Sequence, residues 1–496
     1  MARRVSLAPI YGTPSFVLPA VLYWFTVEPG VGSWDVGEMQ TVLYILGIAH
    51  TTGYPAFVLA GWMFSHAFAF GGVAWRINLL GTLYFAGASC ALYCMQARLG
   101  VRPAIALLGS LLFATGTIVW YHAIRIDVLS MAVLLATLTL LFLIRWSQDR
   151  DDRSFIAAGI FVGLSLGDHL VVLWTLPSVV IFIWLNRSAL HRRLLMLGAL
   201  AAGAVAICLY AYIPVRSALV AARGYDRTLE LGFPPGHPYW DYGHPADLHK
   251  FVALITGAQV HASSSFLGML SPHTLIAGLI HFGAMALAEF SIVGVVLIVI
   301  GIWSGWRRHR DVAIYALLAS VLIAQFTAAF SAETDPDRYY IVSFALLTPF
   351  LGIGLCAILD AVGKRRASAA MVAATGAMLV LIAIGIYRER AIFGWHYDRW
   401  GTDYVERVRA DTPDDAVIVA PWVLASPLGY AEYVERSYGD RIVAAGSVDA
   451  DGAYLRPVLR ARPVYVVLDN HVPNGFRLIE VDAGDPPVYK LVSTAR

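Results

Sequence analysis

Charge is what this chain has least of. Only 14% of its 496 residues are Asp, Glu, Lys or Arg, against about 25% in a soluble domain. An ordinary water-soluble globule is excluded. The net charge of +2 is too small to attract nucleic acid, so no nucleic-acid partner is expected. Lysine is nearly absent: apart from Lys250, Lys364 and Lys490, every basic residue is Arg. Cysteine is scarce as well. Cys90, Cys94, Cys208 and Cys356 all fall inside apolar segments, with neither metal-ligand spacing nor a disulfide framework. They read as small core residues. There is no internal repeat, and neither a P-loop nor a GxGxxG in the right context. The N-terminus, MARRVSLAPIYGTPSF, starts basic but has no clean cleavage site, so it reads as a retained first span.

What the chain does have is apolar length. It is 58% hydrophobic, with a mean hydropathy of +0.65, and apolar runs near 20 residues recur, about the length that crosses a bilayer. The expectation is an all-α polytopic membrane protein of about eleven transmembrane helices. They are placed near residues 5–27, 75–97, 103–119, 128–146, two short ones within 154–186, then 194–213, 287–306, 312–330, 339–359 and 367–386. A further apolar piece, 56–70, is re-entrant or interfacial. A long polar segment, 214–272, is rich in Gly, Pro, His, Tyr and Asp, too long for a plain connector. Near residue 387 the composition changes. Runs such as AVIVA, VYVVL and RLIEV alternate with charged helical pieces such as LGYAEYVERSYGD, which predicts a small α/β domain. The division is thus a membrane domain, 1–387, carrying outer loops 28–74 and 214–272, and an extracytoplasmic α/β domain, 388–496.

Basic clusters set the orientation. Arg3 and Arg4, Arg98 and Arg102, Arg187 to Arg193, Arg307 to Arg310 and Lys364 to Arg366 all fall on one side, read as cytoplasmic by the positive-inside rule. That places the N-terminus in the cytoplasm and the C-terminal domain outside, in the periplasm of a cell with an inner membrane. A second set falls on the opposite side: Asp35/Glu38/His50, His122/Arg125/Asp127, Asp168/His169, Asp241/His244 and Asp335/Asp337/Arg338. Ionisable groups at membrane depth are costly and functional by default. Their agreement predicts one outward-facing polar cavity.

The stretch Ser33–Pro55, SWDVGEMQTVLYILGIAHTTGYP, is the densest of these. A local reading is available: Asp35 and Glu38 as a capping box, Gly53 and Pro55 as helix stops. The uncharged run between Glu38 and His50 predicts a helix about 17 Å long at ~1.5 Å per residue, with polar chemistry at its two ends. The functional reading is transfer chemistry. Carboxylates with His and Arg at an outer face, and no nucleotide motif, suit sugar transfer from a lipid-linked phosphate donor. That reaction needs a base for the acceptor hydroxyl and cations for the leaving phosphate.

DVGE, LGIAHTTGYP and WRINLLGTLYFAGASCALY, followed by WYHAIRIDVLSM, GLSLGDHL, AYIPVRSAL, DYGHPADLHKFVALITGAQ and DPDRYYIVSF, resemble a known family. It is the group of C-type (GT-C) membrane glycosyltransferases that includes the animal transmembrane O-mannosyltransferase of plexin-type receptor domains. The resemblance covers roughly residues 30–350. It implies a polyprenyl-phosphate-linked sugar donor, a hexose such as mannose, inverting transfer, and an acidic base in the first outer loop. Carried over by motif, that base is Asp35, with Glu38 as its neighbour or substitute. Glu38 orients the acceptor or the base, or helps hold a divalent cation. His50, His122, Arg125, Arg216 and Arg338 become candidates for the donor phosphate. Asp127, Asp168, His169, Tyr54, Asp335 and Asp337 become candidates for the sugar and acceptor pocket. The acceptor is a protein, a glycolipid or a polysaccharide. Two departures stand out: Asp127 where relatives have Glu, and Asp168 where they often have Asn. The short α/β tail also replaces a long helical-repeat tail. The alternative is a transporter or flippase of lipid-linked glycans, which should carry inverted repeats.

Overall fold

The computed structural model describes residues 8–258, 271–329, 335–362, 367–468, 472 and 474–494. Arg3, Arg4, Lys364, Arg365 and Arg366 therefore lie outside the described residues, as do 259–270 of the long polar segment and 331–334 of the loop before Asp335. In chain order the helices are α1 (Ala8–Trp24), α2 (Trp34–Ile45), α3 (Pro55–Ala67), α4 (Val73–Arg98), α5 (Pro103–Ala114), α6 (Thr117–Ala123), α7 (Val128–Asp149), α8 (Asp152–Leu166), α9 (Leu176–Leu185), α10 (Arg192–Ala222), α11 (Leu248–Thr256), α12 (Pro272–Gly305), α13 (Arg310–Ala329), α14 (Tyr340–Ala361) and α15 (Ala367–Arg388). The tail adds α16 (Trp400–Asp411), β1 (Val417–Ala420), α17 (Trp422–Tyr430), β2 (Ile442–Ala445), α18 (Val448–Val458), β3 (Val464–Val467), β4 (Phe476–Asp482) and β5 (Val488–Ser493).

Among the described residues seven helices are long and apolar enough to cross a membrane, or eight if α5 and α6, bent by 69° to one another, count as one span. The chain is a multi-pass membrane protein. The expectation of about eleven additionally counts α1, of which 17 residues are described, and two short helices within 154–186, where the structure has α8, a 3₁₀ turn and α9. Two boundaries also differ. Span and polar segment were divided at Pro214, yet α10 continues through that proline to Ala222. Residues 272–286, ahead of the expected span 287–306, are helical as well, and α12 is two helical segments that meet at a kink at Ser291 (φ 60, ψ 171).

The chain forms two compact units. The first comprises residues 1–27, 81–208 and 262–396. It is a helical bundle whose core gathers Trp120, Trp146, Phe182, Tyr315, Phe344 and Phe350. α12 packs on α14, and glycines set that crossing. A Cβ on Gly301 would collide with the Phe350 carbonyl, and one on Gly354 with the Leu297 carbonyl. Small residues that let backbones touch are the usual packing device between membrane helices.

The second unit comprises residues 28–80, 209–261 and 397–496. Its sheet has the order β2-β1-β3-β5-β4, with β1 parallel to β2 and β3, and β5 antiparallel to β3 and β4. Inside this unit α2 packs on α3 and α17. Buried Gln40 ties the start together. Its Oε1 accepts from Gly32 N (2.9 Å), and its Nε2 donates to Gly30 O (3.1 Å) and Asn78 Oδ1 (3.1 Å). Asn78 in turn donates to Glu28 O (2.9 Å).

Candidate functional site

In the second unit the sequence stretch around Asp35 forms a cluster, but not the one local rules predict. The N-cap of α2 is Ser33, without a side-chain cap bond. Asp35 and Glu38 are three apart and so share a helix face. Glu38 does not reach back to complete a capping box. It is fully buried and reaches forward to His50. Oε1 accepts from the His50 backbone N–H (2.7 Å), and Oε2 lies 2.6 Å from Nδ1.

This contact is possible because the expected long helix stops early. Leu46 turns left-handed (φ 58, ψ 49), so His50 folds back onto the turn carrying Glu38. The cause of the stop is remote in sequence. Tyr212 Oη donates to Leu46 O (2.8 Å) and Gly47 O (2.6 Å), while Arg216 donates from Nε to Leu46 O (2.6 Å) and from Nη2 to Ile45 O (3.0 Å). A cation at a helix C-terminus also meets the negative end of its dipole. Arg216, a phosphate candidate by sequence, thus holds the end of α2. Arg216→Ala is expected to lower stability by about 2 kcal/mol, the scale of lost charged hydrogen bonds. Arg216→Lys should not restore it, because an ammonium lacks the planar fork. Thermal unfolding of the three proteins checks this.

The loop is pinned from a second side. Ile48 N donates to Trp240 O (2.6 Å), and Tyr242 N donates to Ile48 O (3.2 Å). Asp241, an expected loop carboxylate, is buried. It accepts from Ser217 Oγ at Oδ1 (2.9 Å) and faces His244 Nδ1 at Oδ2 (2.8 Å). Burial raises its pKa, with His244 and Ser217 opposing.

Tyr54 fixes the His50 tautomer. Its single hydroxyl proton goes to Thr51 O (2.5 Å), so at the 3.0 Å contact with His50 Nε2 the imidazole donates. One further proton is then shared between Nδ1 and Glu38. Burial raises the Glu38 pKa, the neighbouring His50 lowers it, and the net shift is upward. Asp35, half-buried, Glu38 and His50 each offer an oxygen or nitrogen within 4.8 Å of the others. Two carboxylates and an imidazole are a donor set that a divalent cation accepts.

In the first unit a second cluster assembles at α6. His122 is buried. Its Nδ1 lies 2.9 Å from Asp127 Oδ2 and its Nε2 lies 3.5 Å from Asp335 Oδ2. Arg125 approaches Asp335 (3.8 Å) and stacks over the Tyr121 ring (3.7 Å). Arg338 approaches Asp127 (3.5 Å). Asp127 also caps α7, accepting from Leu129 N at 2.8 Å. Burial would raise the Asp127 carboxyl. Arg338, the His122 contacts and the Leu129 N–H outweigh it and hold the group well below the usual range.

Asp168 has the opposite fate. It is fully buried, and neither carboxylate oxygen has a hydrogen-bond partner among the described residues. Burial, then the Asp127 charge, push its pKa well up. A protonated Asp168 matches in shape the Asn that the resemblance leads one to expect there. His169 caps the following turn, Nδ1 accepting from Val171 N (3.1 Å), and its ring lies 5.4 Å from that of Tyr339. Asp337 faces elsewhere, 2.6 Å from His281.

Nine of the sequence-predicted residues fall into two sets, with Arg216, Asp168, His169 and Asp337 placed as described above. Asp35, Glu38, His50 and Tyr54 meet in one unit. His122, Arg125, Asp127, Asp335 and Arg338 meet in the other. Sequence reasoning missed Glu289, a buried acid of α12 whose Oε2 accepts from Ile118 N (3.1 Å) at the start of α6. The signal was there: an acidic residue inside an apolar run is functional or structural by default. It also missed Tyr212, which carries no charge to draw attention.

Residues 35–192 match the family described as Protein O-mannosyl-transferase TMEM260 N-terminal domain. The chain is similar to Protein O-mannosyl-transferase TMEM260 of Mus musculus, 34% identical over 227 residues, covering 44% of this chain and 32% of that protein. It is also similar to the protein of that name in Dictyostelium discoideum, 30% identical over 118 residues, covering 23% and 14%. The chain thus spans less than a third of the length of these curated relatives. Among solved structures it is similar to the Archaeoglobus fulgidus oligosaccharyltransferase. In the apo form the TM-score is 0.55 at 15% identity, covering 94% of this chain and 69% of that one. In the complex with Zn and sulfate the TM-score is 0.53 at 15% identity, covering 91% and 68%. At that identity the likeness is one of fold.

Proposed function

We propose that this chain, which matches the Protein O-mannosyl-transferase TMEM260 N-terminal domain family over residues 35–192, is an integral membrane glycosyltransferase. It moves a hexose such as mannose from a polyprenyl-phosphate donor to an acceptor hydroxyl at the extracytoplasmic face. The observation that carries this reading is the Asp35–Glu38–His50 cluster, in which one carboxylate is buried and fully engaged while its helix neighbour stays half-exposed.

In this mechanism Asp35 takes the proton of the acceptor hydroxyl. The oxygen attacks the anomeric carbon from the face opposite the phosphate, a new C–O bond forms, and the old C–O bond to phosphate breaks. The electron pair leaves with the polyprenyl phosphate, and the anomeric configuration inverts. Glu38 holds His50 in place, and His50 presents Nε2–H towards Tyr54. Within the first unit the candidates for binding a phosphate group are Arg125, Arg338 and His122, each paired with Asp127 or Asp335. Preorganised cations of this kind stabilise a leaving group without reorganisation.

The test uses the purified full chain in lipid nanodiscs with a polyprenyl-phosphate mannose carrying a labelled sugar. Labelled acceptor product is the expected result. Movement of the donor across the bilayer without a new glycosidic bond is the outcome that a flippase requires and this reading forbids.

A further inference from the structure

Within the second unit His50 also forms part of the wall of a cleft of about 530 Å³. The rest of the lining is Gly236, His237, Tyr239, Tyr242, Gly243, Trp422 and Ala445. We propose that this cleft is the acceptor site and that it seats a neutral saccharide, so the hydroxyl brought towards Asp35 belongs to a sugar ring. This rests on the glycosyltransferase reading above.

Four observations select that ligand. The volume lies in the range of small-molecule pockets, roughly 300–1,000 Å³, room for a few sugar rings. Among the described residues no Asp, Glu, Lys or Arg lines the cleft, so the phosphate half of a lipid-linked donor finds there no carboxylate-free guanidinium or ammonium of the kind it needs. The His237 ring is neutral near pH 7, burial pushing its pKa down to about 4. Thirdly, the lining is made of rings and bare backbone. His50, Trp422 and Tyr242 meet edge to face, with centroids 5.7 and 6.5 Å from His50, and among the described residues no branched aliphatic side chain lines the cleft. Flat rings suit the C–H faces of a pyranose, and exposed main chain suits its hydroxyls. Gly236 (φ 89) and Gly243 (φ 70) adopt backbone that favours glycine, and a Cβ on Gly236 would press on His244 N at 2.7 Å.

The fourth observation argues against a polypeptide. An extended peptide is usually bound by adding a strand to a sheet edge. The strand that reaches the cleft is β2, at the edge of the sheet. One outward group of that strand is already engaged, Val443 N by Glu432 Oε2 (3.0 Å), and just before it Arg441 O accepts from Arg227 Nη1 (3.0 Å). Those bonds interrupt the ladder that an added strand needs.

The experiment is saturation-transfer NMR on the full chain in lipid nanodiscs, since glycoside detergents are themselves saccharides. The probes are mannobiose, maltose and lactose, with an uncharged, N-acetylated Ser/Thr hexapeptide as the competitor class. At least one disaccharide should bind, weakened tenfold or more by Ala445→Leu, which fills the cleft without removing a wall, and by Trp422→Ala. Binding of the peptide in an Ala445→Leu-sensitive manner, disaccharide binding indifferent to that substitution, or no disaccharide binding at all would overturn the proposal. Asp35→Asn separates the two claims. It should still bind the disaccharide while transferring nothing. Normal transfer by Asp35→Asn sinks the catalytic reading alone, whereas the cleft stands or falls on Ala445→Leu.

Discussion

Asp35→Asn is expected to lower sugar transfer by about 10²–10⁴-fold, the usual contribution of a positioned base, while thermal unfolding stays close to that of the parent chain. The amide keeps the size of the carboxylate but cannot take a proton. Asp35 is half-buried at the first turn of α2, where a carboxylate also favours the helix dipole by a few tenths of a kcal/mol. That loss is too small to mimic a catalytic defect through unfolding. The measurement is turnover of a polyprenyl-phosphate sugar by the folded variant. A rate within threefold of the parent would remove Asp35 from the chemistry.

Glu38 should act through stability as well as rate. Glu38→Ala leaves the His50 backbone N–H and Nδ1 facing a void where two carboxylate oxygens stood. Breaking a buried pair by deleting one member costs about 3–5 kcal/mol. A clear fall in melting temperature is therefore expected, together with lost transfer, because the His50 loop is no longer held. Glu38→Gln is the informative partner. It preserves the shape, and its amide can accept from the backbone N–H and donate to Nδ1. The pH dependence has a definite sign. The folded Glu38 pKa is raised, chiefly by burial. Its contribution to stability is therefore full below the unfolded value and is lost as pH rises through the folded one. Relative to Glu38→Gln, the parent chain should lose stability as pH is raised above the ordinary glutamate range. A parent-minus-Gln difference that grows with pH would contradict the assignment.

The residues that announce themselves in the sequence are those whose chemistry conflicts with their surroundings. Asp35, Glu38 and His50 stood out as ionisable groups beside apolar runs, and so did Arg125, Asp127 and Arg338. The structure brings members of each set into contact. How they meet was not legible. The pattern MQTVLYILGIA reads as one helix, and only Tyr212 and Arg216, some 165 residues away in the chain, show why it stops at Ile45. Arg216 is a phosphate candidate through the resemblance that AYIPVRSAL carries; its partners in the structure are main-chain carbonyls, which no side-chain motif reveals. In the tail the β-branched runs marked β1, β3 and β4. The strands β2 and β5, IVAA and VYKLVS, carry weaker patterns and owe their place to pairing with neighbours.

The glycines at the crossing of α12 and α14 have a mechanical meaning. Where two backbones touch with no side chain between them, as at Gly301 and Gly354, separating the helices forfeits many close contacts at once, whereas swivelling about the point of touch forfeits few. The crossing is therefore expected to act as a pivot: in any rearrangement of this bundle residues 301 and 354 should stay nearly still while the ends of those two helices sweep the larger arcs.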